Sequence, residues 1–558
     1  MCLPVEARSL RINCHVATQI KWIFKMTLHQ TRRHFLTTTI AAATGGTAGV
    51  LAAAPYRPAD AAGRTSLVVG RRSIEVKGKA ATVFGIEQAS GTQGLILEPN
   101  ERFLVSLENR SGESTIIHWH GQTPPMGQDG VAEIGEELIQ PNASRVYDFT
   151  ARPGTHWMHS HQGLQEQLMM AAPLIVRTGD DQKRDAQEVT MLLHDFTFKD
   201  PAEVLAGLVN GTGMPGMGPA SSAPPAGAMP PTAPAGHMMS GRADMPAAPM
   251  QGMRGMHGMP GMGAAPPSLP PAGMPGMAPT PAGGQQGAVP DLNDIEYDAY
   301  LANDRTLDDP LVVRTERGGR VLLRLINAAS STAFWIDLGE LQGTVLAVDG
   351  NPVHPISGKV FPLVQAQRLD ILVELPLAGG AFPILAQREG ERQRTGIILA
   401  SRGAAVVRVT DMAGVEAGAA DLSLEQRLVA VQSLPTRPVD VVRRIALTGS
   451  MMPYLWTIDD NNWSNHRQIP VSKGQRVVLE MLNRTPMAHP MHLHGHHFQV
   501  VGLNGQGLLG AIRDTVMVPA NGSVAVAFDA DNPGRWLIHC HNIYHRATGM
   551  ITEIAYVS

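Results

Sequence analysis

Apolar residues recur along most of this chain in short runs of Val, Ile and Leu, broken every few positions by Gly, Pro or Asn, and a sustained helical period is rare. That pattern predicts strands joined by tight turns, and so β-sandwiches. Three runs echo one another: Arg102 to Asn109 (RFLVSLEN), Arg320 to Asn327 (RVLLRLIN) and Arg476 to Asn483 (RVVLEMLN). Each is β-prone and ends in Asn. Their separation far exceeds the period of small stacked repeats, so they are expected to be corresponding strands of three domains. The predicted architecture is three antiparallel sandwiches in series.

A length of 558 residues agrees, being too long for one core. The expected limits are a leader over 1–61, a first domain over 62–180, a second built from 181–200 and 291–415, and a third over 425–558. Residues 201–290 are dominated by Pro, Gly, Ala and Met, a composition that buries too little apolar surface to fold alone. They are expected to form a disordered insertion.

The leader carries Thr31 to Leu36 (TRRHFL), a weakly apolar stretch, and Ala-rich cleavage candidates at Ala52 to Ala54 and Ala59 to Ala61. It resembles a twin-arginine export signal, which implies passage through the twin-arginine export machinery to the periplasm. An ordinary basic leader is the plain alternative. Met26 is a candidate true start. Cleavage would remove Cys2 and Cys14 and leave Cys540 as the one thiol in an oxidising compartment, where metal ligation would protect it. A net charge of -4 gives no broad basic field for nucleic acid, and no apolar run is long enough to span a bilayer.

A second echo carries chemistry. Pro153 to His161 (PGTHWMHSH) matches Pro533 to His541 (PGRWLIHCH), whereas the comparable stretch of the middle domain, Gly379 to Gln387, has neither His nor Cys. Metal sites are therefore expected in the first and third domains. With 21 histidines, composition alone would give about one His-x-His; the chain has five. Four stand in distinctive settings: His118-Trp119-His120, His159-Ser160-His161, His492-Leu493-His494 and His539-Cys540-His541. On a strand, residues two apart face the same way, so each pair is expected to aim both imidazoles at one cluster. Cys540 would then point to the opposite face. With His489, His545 and Met550 it makes a set of two His, one Cys and a weak thioether, the ligands of a blue-copper electron-transfer site. On spacing alone, Met550 reads better as a core methionine.

These motifs, HWHG, HSH, HPMHLHGHHF (His489 to Phe498) and HCHNIYHRATGM (His539 to Met550), resemble the four copper motifs of the multicopper oxidases from about residue 65 to the C-terminus. The resemblance implies an all-β fold of three consecutive cupredoxin-like Greek-key sandwiches holding four copper ions. It assigns His489, Cys540, His545 and Met550 to a type 1 copper, and His118 and His492 to a type 2 copper. His120, His159, His161, His494, His539 and His541 fall to a type 3 pair. It implies one-electron oxidation of a donor, with Cys540, His539 and His541 as the route to the cluster, where dioxygen takes four electrons and becomes two waters. Ser160 and Gln165 stand where Cys540 and His545 stand, so the first domain is expected to hold no second blue site.

Reduction of dioxygen also needs protons. Asp129, in Gln128-Asp129-Gly130, stands where similar enzymes place a carboxylate, and is expected to relay protons, an ordinary Asp-Gly turn being the alternative. Arg546 follows His545, where some cuprous oxidases carry an acid. Finally, Met250, Met253, Met256, Met259 and Met262 recur every third residue. On a polyproline II chain they would share one edge, and soft sulfur favours Cu(I), with His237 and His257 adding nitrogen. The expected function is oxidation of Cu(I) to Cu(II) in copper detoxification; the alternatives are a laccase-like oxidase of phenols or other small organic donors, and a non-catalytic copper-binding or buffering protein.

Overall fold

The computed structural model describes residues 64–212 and 292–557; the expected leader, His237, His257 and the five evenly spaced methionines lie outside them. Three pairs of packed sheets follow one another along the chain. In the first, Thr65–Val76, Lys79–Gln88, Arg102–Asn109 and Ser144–Thr150 form one sheet, and Leu95–Leu97, Ile117–His118, Gly154–Ser160 and Ala171–Val176 the other. Phe103, Val105, Leu107, Tyr147 and Phe149 meet Trp119, Met158, Leu174 and Val176 between them. The second sandwich pairs sheets of six and five strands, and the third pairs seven and five. Among the described residues helices are few and short.

The three echoed runs occupy the same slot in each sandwich. Each pairs in parallel with the strand that enters its domain and antiparallel with a later one. Arg102–Asn109 alternates in burial with period two, as a strand with one face on a core must. The closing asparagine of each run is buried and works as a bracket. Asn109, Asn327 and Asn483 each accept from the backbone N–H two residues on, at 3.0, 3.0 and 2.9 Å. Each also donates its amide to carbonyls of two different segments. The chain is thus forced to turn at a fixed angle. In the first and third sandwiches that bracketed turn leads directly into the strands of His118 and His492.

The expectation of disorder from residue 201 onward is wrong at its start. Pro201–Val209 is an α-helix, with Asp200 accepting from Ala202 N–H at 2.8 Å as its cap and Pro201 in the first turn. Leu208 is buried, and Val204 and Leu205 pack on the same core as Tyr454 and Trp456. An apolar helix stripe with a capped start overrides the bland composition that follows it.

Candidate metal centres

Three sets of three imidazoles gather where the first and third sandwiches meet: His118, His120 and His492; His120, His159 and His541; His161, His494 and His539. A fourth set, His489, Cys540 and His545, lies within the third sandwich. All of these residues are buried. The structure thus brings together every predicted imidazole and the thiol. Met550 is fully buried beside them, its carbonyl accepting from Cys540 N–H at 3.0 Å.

The four His-x-His pairs converge on one cluster, as strand geometry predicts, the sets being joined through His120 and through His118 beside His494. Each strand runs out at or just beyond the first histidine of its motif, so the second histidine lies past the strand. Free of the pleat, it can turn to a different neighbour: His118 and His120 share one set, whereas His159 and His161 fall in different sets, as do His492 and His494, and His539 and His541. Cys540 still points away from both flanking imidazoles, into the fourth set.

Outer ring atoms are tied down, which fixes what the inner ones present. Nδ1 of His118 and His492 donate to Asp129 and Asp514 carbonyls, both at 2.9 Å. Nδ1 of His494 reaches Asp129 Oδ2 at 2.8 Å, and Nδ1 of His161 reaches Glu133 Oε2 at 3.1 Å. His120 is reversed: its Nε2 meets Asp514 Oδ1 at 3.1 Å, leaving Nδ1 inward. In the fourth set, His489 Nε2 is held by Thr485 Oγ1 at 2.7 Å, and His545 Nε2 lies 3.1 Å from the Asp294 carboxylate. Their Nδ1 atoms, 3.1 Å apart, lie 3.7 and 3.5 Å from Cys540 Sγ. Trp456 covers both rings, 5.3 and 4.3 Å between centroids.

The loop bearing Asp129 reaches the cluster because Gly130 lets it press on the strand of His118. Its φ is +84°, and a Cβ there would sit 1.8 Å from Ile117 O. The middle sandwich contributes no ligand but supplies Arg368, which donates to Asp514 Oδ1 at 2.7 Å and to Thr155 O at 3.2 Å. One buried guanidinium thereby joins all three sandwiches behind His120 and His492. Burial alone would raise the Asp514 carboxyl; Arg368 beside it holds it well below the usual carboxylate range.

These residues suit a metal. His120 Nδ1, His159 Nε2 and His541 Nε2 are buried without any protein partner although they belong to one set. Burial, and then charge on neighbouring imidazoles, hold His120, His494 and His541 well below the usual imidazole range, and His161 and His539 too, where Arg546 adds to the effect. Neutral rings with free lone pairs are what a cation needs. Burial likewise pushes the Cys540 thiol above its ordinary range, so a bound cation is what would keep it as thiolate.

The same values give the apoprotein a defined acid weakness. The unfolded chain binds protons near pH 6.5, which the folded imidazoles refuse until far lower, about 3 at His492. Stability is therefore complete above about pH 6.5 and falls as the pH drops through the window toward the folded values. Melting temperatures of copper-free protein should decline steadily between about pH 7 and pH 4, and copper should suppress the decline. A flat profile would mean that these rings protonate freely inside the fold.

In the first sandwich the positions matching His489, Cys540, His545 and Met550 hold Thr115, Ser160, Gln165 and Met170, and these close on each other. Gln165 Oε1 accepts from Thr115 Oγ1 and Ser160 Oγ, both at 2.7 Å, and Thr115 Oγ1 lies 3.1 Å from Met170 Sδ. Hard oxygen donors satisfied by one another replace the soft set. Sequence reasoning did not pick out Thr485, Asp514, Arg368, Glu133, Glu166 or Asp294. A faint signal existed for one of them: Glu166 sits in the polar triplet Gln165 to Gln167, shortly past His161.

Residues 68–181, 187–408 and 436–557 each match a family description reading "Multicopper oxidase". The multicopper oxidase MmcO of Mycobacterium tuberculosis is 30% identical over 462 residues, covering 82% of this chain and 80% of that protein. Copper resistance protein A of Escherichia coli is 24% identical over 603 residues, covering 88% and 91%. Among solved structures, Fet3p, described as a multicopper oxidase that functions in iron import, superposes with a TM-score of 0.66 at 15% identity over 88% of this chain and 90% of its own. A laccase from Botrytis aclada gives 0.64 at 20% identity over 88% and 87%. At such identities the two superpositions speak for the fold alone.

Proposed function

Because the chain belongs to the multicopper oxidase family, we propose that it is an exported, periplasmic enzyme that oxidises Cu(I) to Cu(II) in copper detoxification and passes the electrons to dioxygen. His489, Cys540, His545 and Met550 would hold a type 1 copper, His118 and His492 a type 2 copper, and the remaining six histidines a type 3 pair. Copper, when bound, supplies one-electron redox chemistry at the thiolate site and four-electron reduction of dioxygen at the imidazole cluster. The chain's own part begins with Cys540, whose backbone joins the thiolate site to His539 and His541 by a single covalent link.

The observation that carries the choice of Cu(I) is where the Met-rich segment departs and returns. It leaves at Thr212, after a helix packed against the hairpin of Tyr454 and Trp456, and it returns at Leu292, two residues before the Asp294 that caps His545. Both ends therefore stand beside the thiolate site. A carboxylate on the outer ring atom of His545 favours a cationic donor over a neutral one.

Asp129 is the proton carrier of this reading. Oδ2 holds the proton at His494 Nδ1, while Oδ1 is buried and without a partner, next to the cluster. Across the cluster, Arg546 Nη2 is engaged with Gly163 O at 3.1 Å and offers no acid. Asp129→Asn keeps the shape and removes the proton acceptor, so kcat should fall by roughly 10²-fold at saturating donor with its pH dependence flattened. A variant with the parent's kcat and pH profile would take Asp129 out of the proton path.

One feature favours an organic donor as the second reading. A cavity of about 210 Å³ is lined by Met487, Ala488, Pro490 and Met517, with Glu389 and Asn542 among its polar members. Ala488 and Pro490 flank His489, and burial raises the Glu389 carboxyl to about 7, a proton acceptor matched to a phenol losing an electron. Oxygen uptake with Cu(I), Fe(II) and a phenol side by side separates the readings. Cu(I) should show the highest kcat/KM; a phenol ahead of it would establish the second reading, and copper binding without oxygen uptake would make the protein a buffer.

A further inference from the structure

The short turn Gln165–Leu168 ties distant parts of the molecule together. Gln165 is bound to Thr115 and Ser160 of its own sandwich. Gln167 Oε1 accepts from the hydroxyls of Tyr297, at 3.0 Å, and Tyr544, at 3.1 Å, which draws in the second sandwich and the residue before His545. Glu166 stands between these anchors, 3% exposed. One of its carboxylate oxygens lies 3.1 Å from His159 Nδ1, which also meets Ser160 O at 3.1 Å, and the other faces His541 Nδ1 at 3.7 Å. That second oxygen and both ring nitrogens of His541 have no hydrogen-bond partner in the protein. A buried acceptor and a buried donor that face each other without any other partner need only a small shift to satisfy each other, and leaving both unpaired is costly.

We propose that Glu166 is the positioning residue of the set formed by His120, His159 and His541. With one carboxylate oxygen beside His159 Nδ1 and the other facing His541 Nδ1, its charge favours a proton on both Nδ1 atoms, and so the tautomer whose Nε2 lone pair is free for one copper. It also holds the two end sandwiches at one ligand spacing. This rests on the reading of that set as half of a type 3 pair. Counted from the His-x-His motifs, the third-sandwich counterpart of Glu166 is Arg546, whose guanidinium bonds Gly163 instead. Only one half of the pair therefore has a carboxylate bridging two of its ligands in this way.

The test uses the full, copper-loaded protein and counts copper per chain, copper visible by electron paramagnetic resonance, and the blue absorption of the thiolate site. The parent should hold about four coppers, the coupled pair being silent in resonance. A parent lacking that complement would refute the type 3 reading and this inference with it. Glu166→Gln keeps the side-chain shape but has one acceptor oxygen and no charge. It should retain cluster copper about 10- to 100-fold less well against a chelator, or show additional resonance-visible copper, with the blue absorption unchanged. Glu166→Asp, with the charge restored on a shorter arm, should recover part of the loss. A Gln variant with the parent's chelator resistance and resonance count would overturn the proposal while leaving the cluster reading intact. So would a variant that loses the blue absorption in step with the cluster, since Glu166 would then support the whole fold.

Discussion

Cys540→Ser should abolish oxygen-coupled oxidation of every donor, Cu(I) and phenol alike, by at least about 10³-fold, equivalent to roughly 4 kcal/mol. Two consequences of one substitution combine. The soft thiolate is lost from a site whose other inward donors are the Nδ1 atoms of His489 and His545 and a buried Met, so the blue absorption disappears. The link from that site to His539 and His541 loses its sulfur end at the same time. The fold should survive. Cys540 is the only cysteine among the described residues and makes no disulfide, and Ser is smaller at a position closed in by Met550 and Ile543. The imidazole sets on the other face of the strand should keep their copper. Oxygen uptake and a visible spectrum decide it: a serine variant that still consumes oxygen would show that electrons reach the cluster by another way, and that this protein does not divide its chemistry between two sites.

Removing the Met-rich segment should separate the two candidate donors. Its deletion must begin after the helix Pro201–Val209, because Leu208 is buried against the third sandwich and its loss would unfold a wall of the thiolate site. Deletion of residues 213–285 leaves that helix and Asp294 in place. Without thioethers concentrating Cu(I) beside His545, kcat/KM for Cu(I) should fall by about 10²-fold, chiefly through KM, since the lost term is local concentration. Phenol oxidation should be unchanged or faster. Matching Cu(I) kinetics in the deleted and full-length proteins would show that capture by the segment is not part of the reaction, and would shift the balance to the organic donor.

The sandwich architecture was legible because three well-separated runs repeat the same apolar spacing, and the structure places them in the same slot of three sheets. The terminal Asn of each run was visible too, but its work as a bracket was not. That work depends on carbonyls contributed by residues up to 36 positions away. The expected limits of the insertion missed a nine-residue helix, since composition averaged over a long window hides one capped apolar turn. The pairing of imidazoles was anticipated from strand alternation, yet each strand stops at about the first histidine of its motif. The assignment of partners therefore had to come from the fold.

What the amino-acid sequence determined by itself is the donor inventory: which imidazoles, which thiol, and that Cys540 must face away from the histidines on either side of it. Those are consequences of covalent order and of the two-residue repeat of a strand, both local. Tertiary structure alone decided which three rings share a set, which ring nitrogen each presents, and that Asp514, Arg368, Glu133 and Glu166 stand behind them. Such partners are hundreds of residues apart in several cases, and the free energy that fixes them is the cost of leaving a buried polar atom unpaired. That cost exists only once the first and third sandwiches have closed on each other.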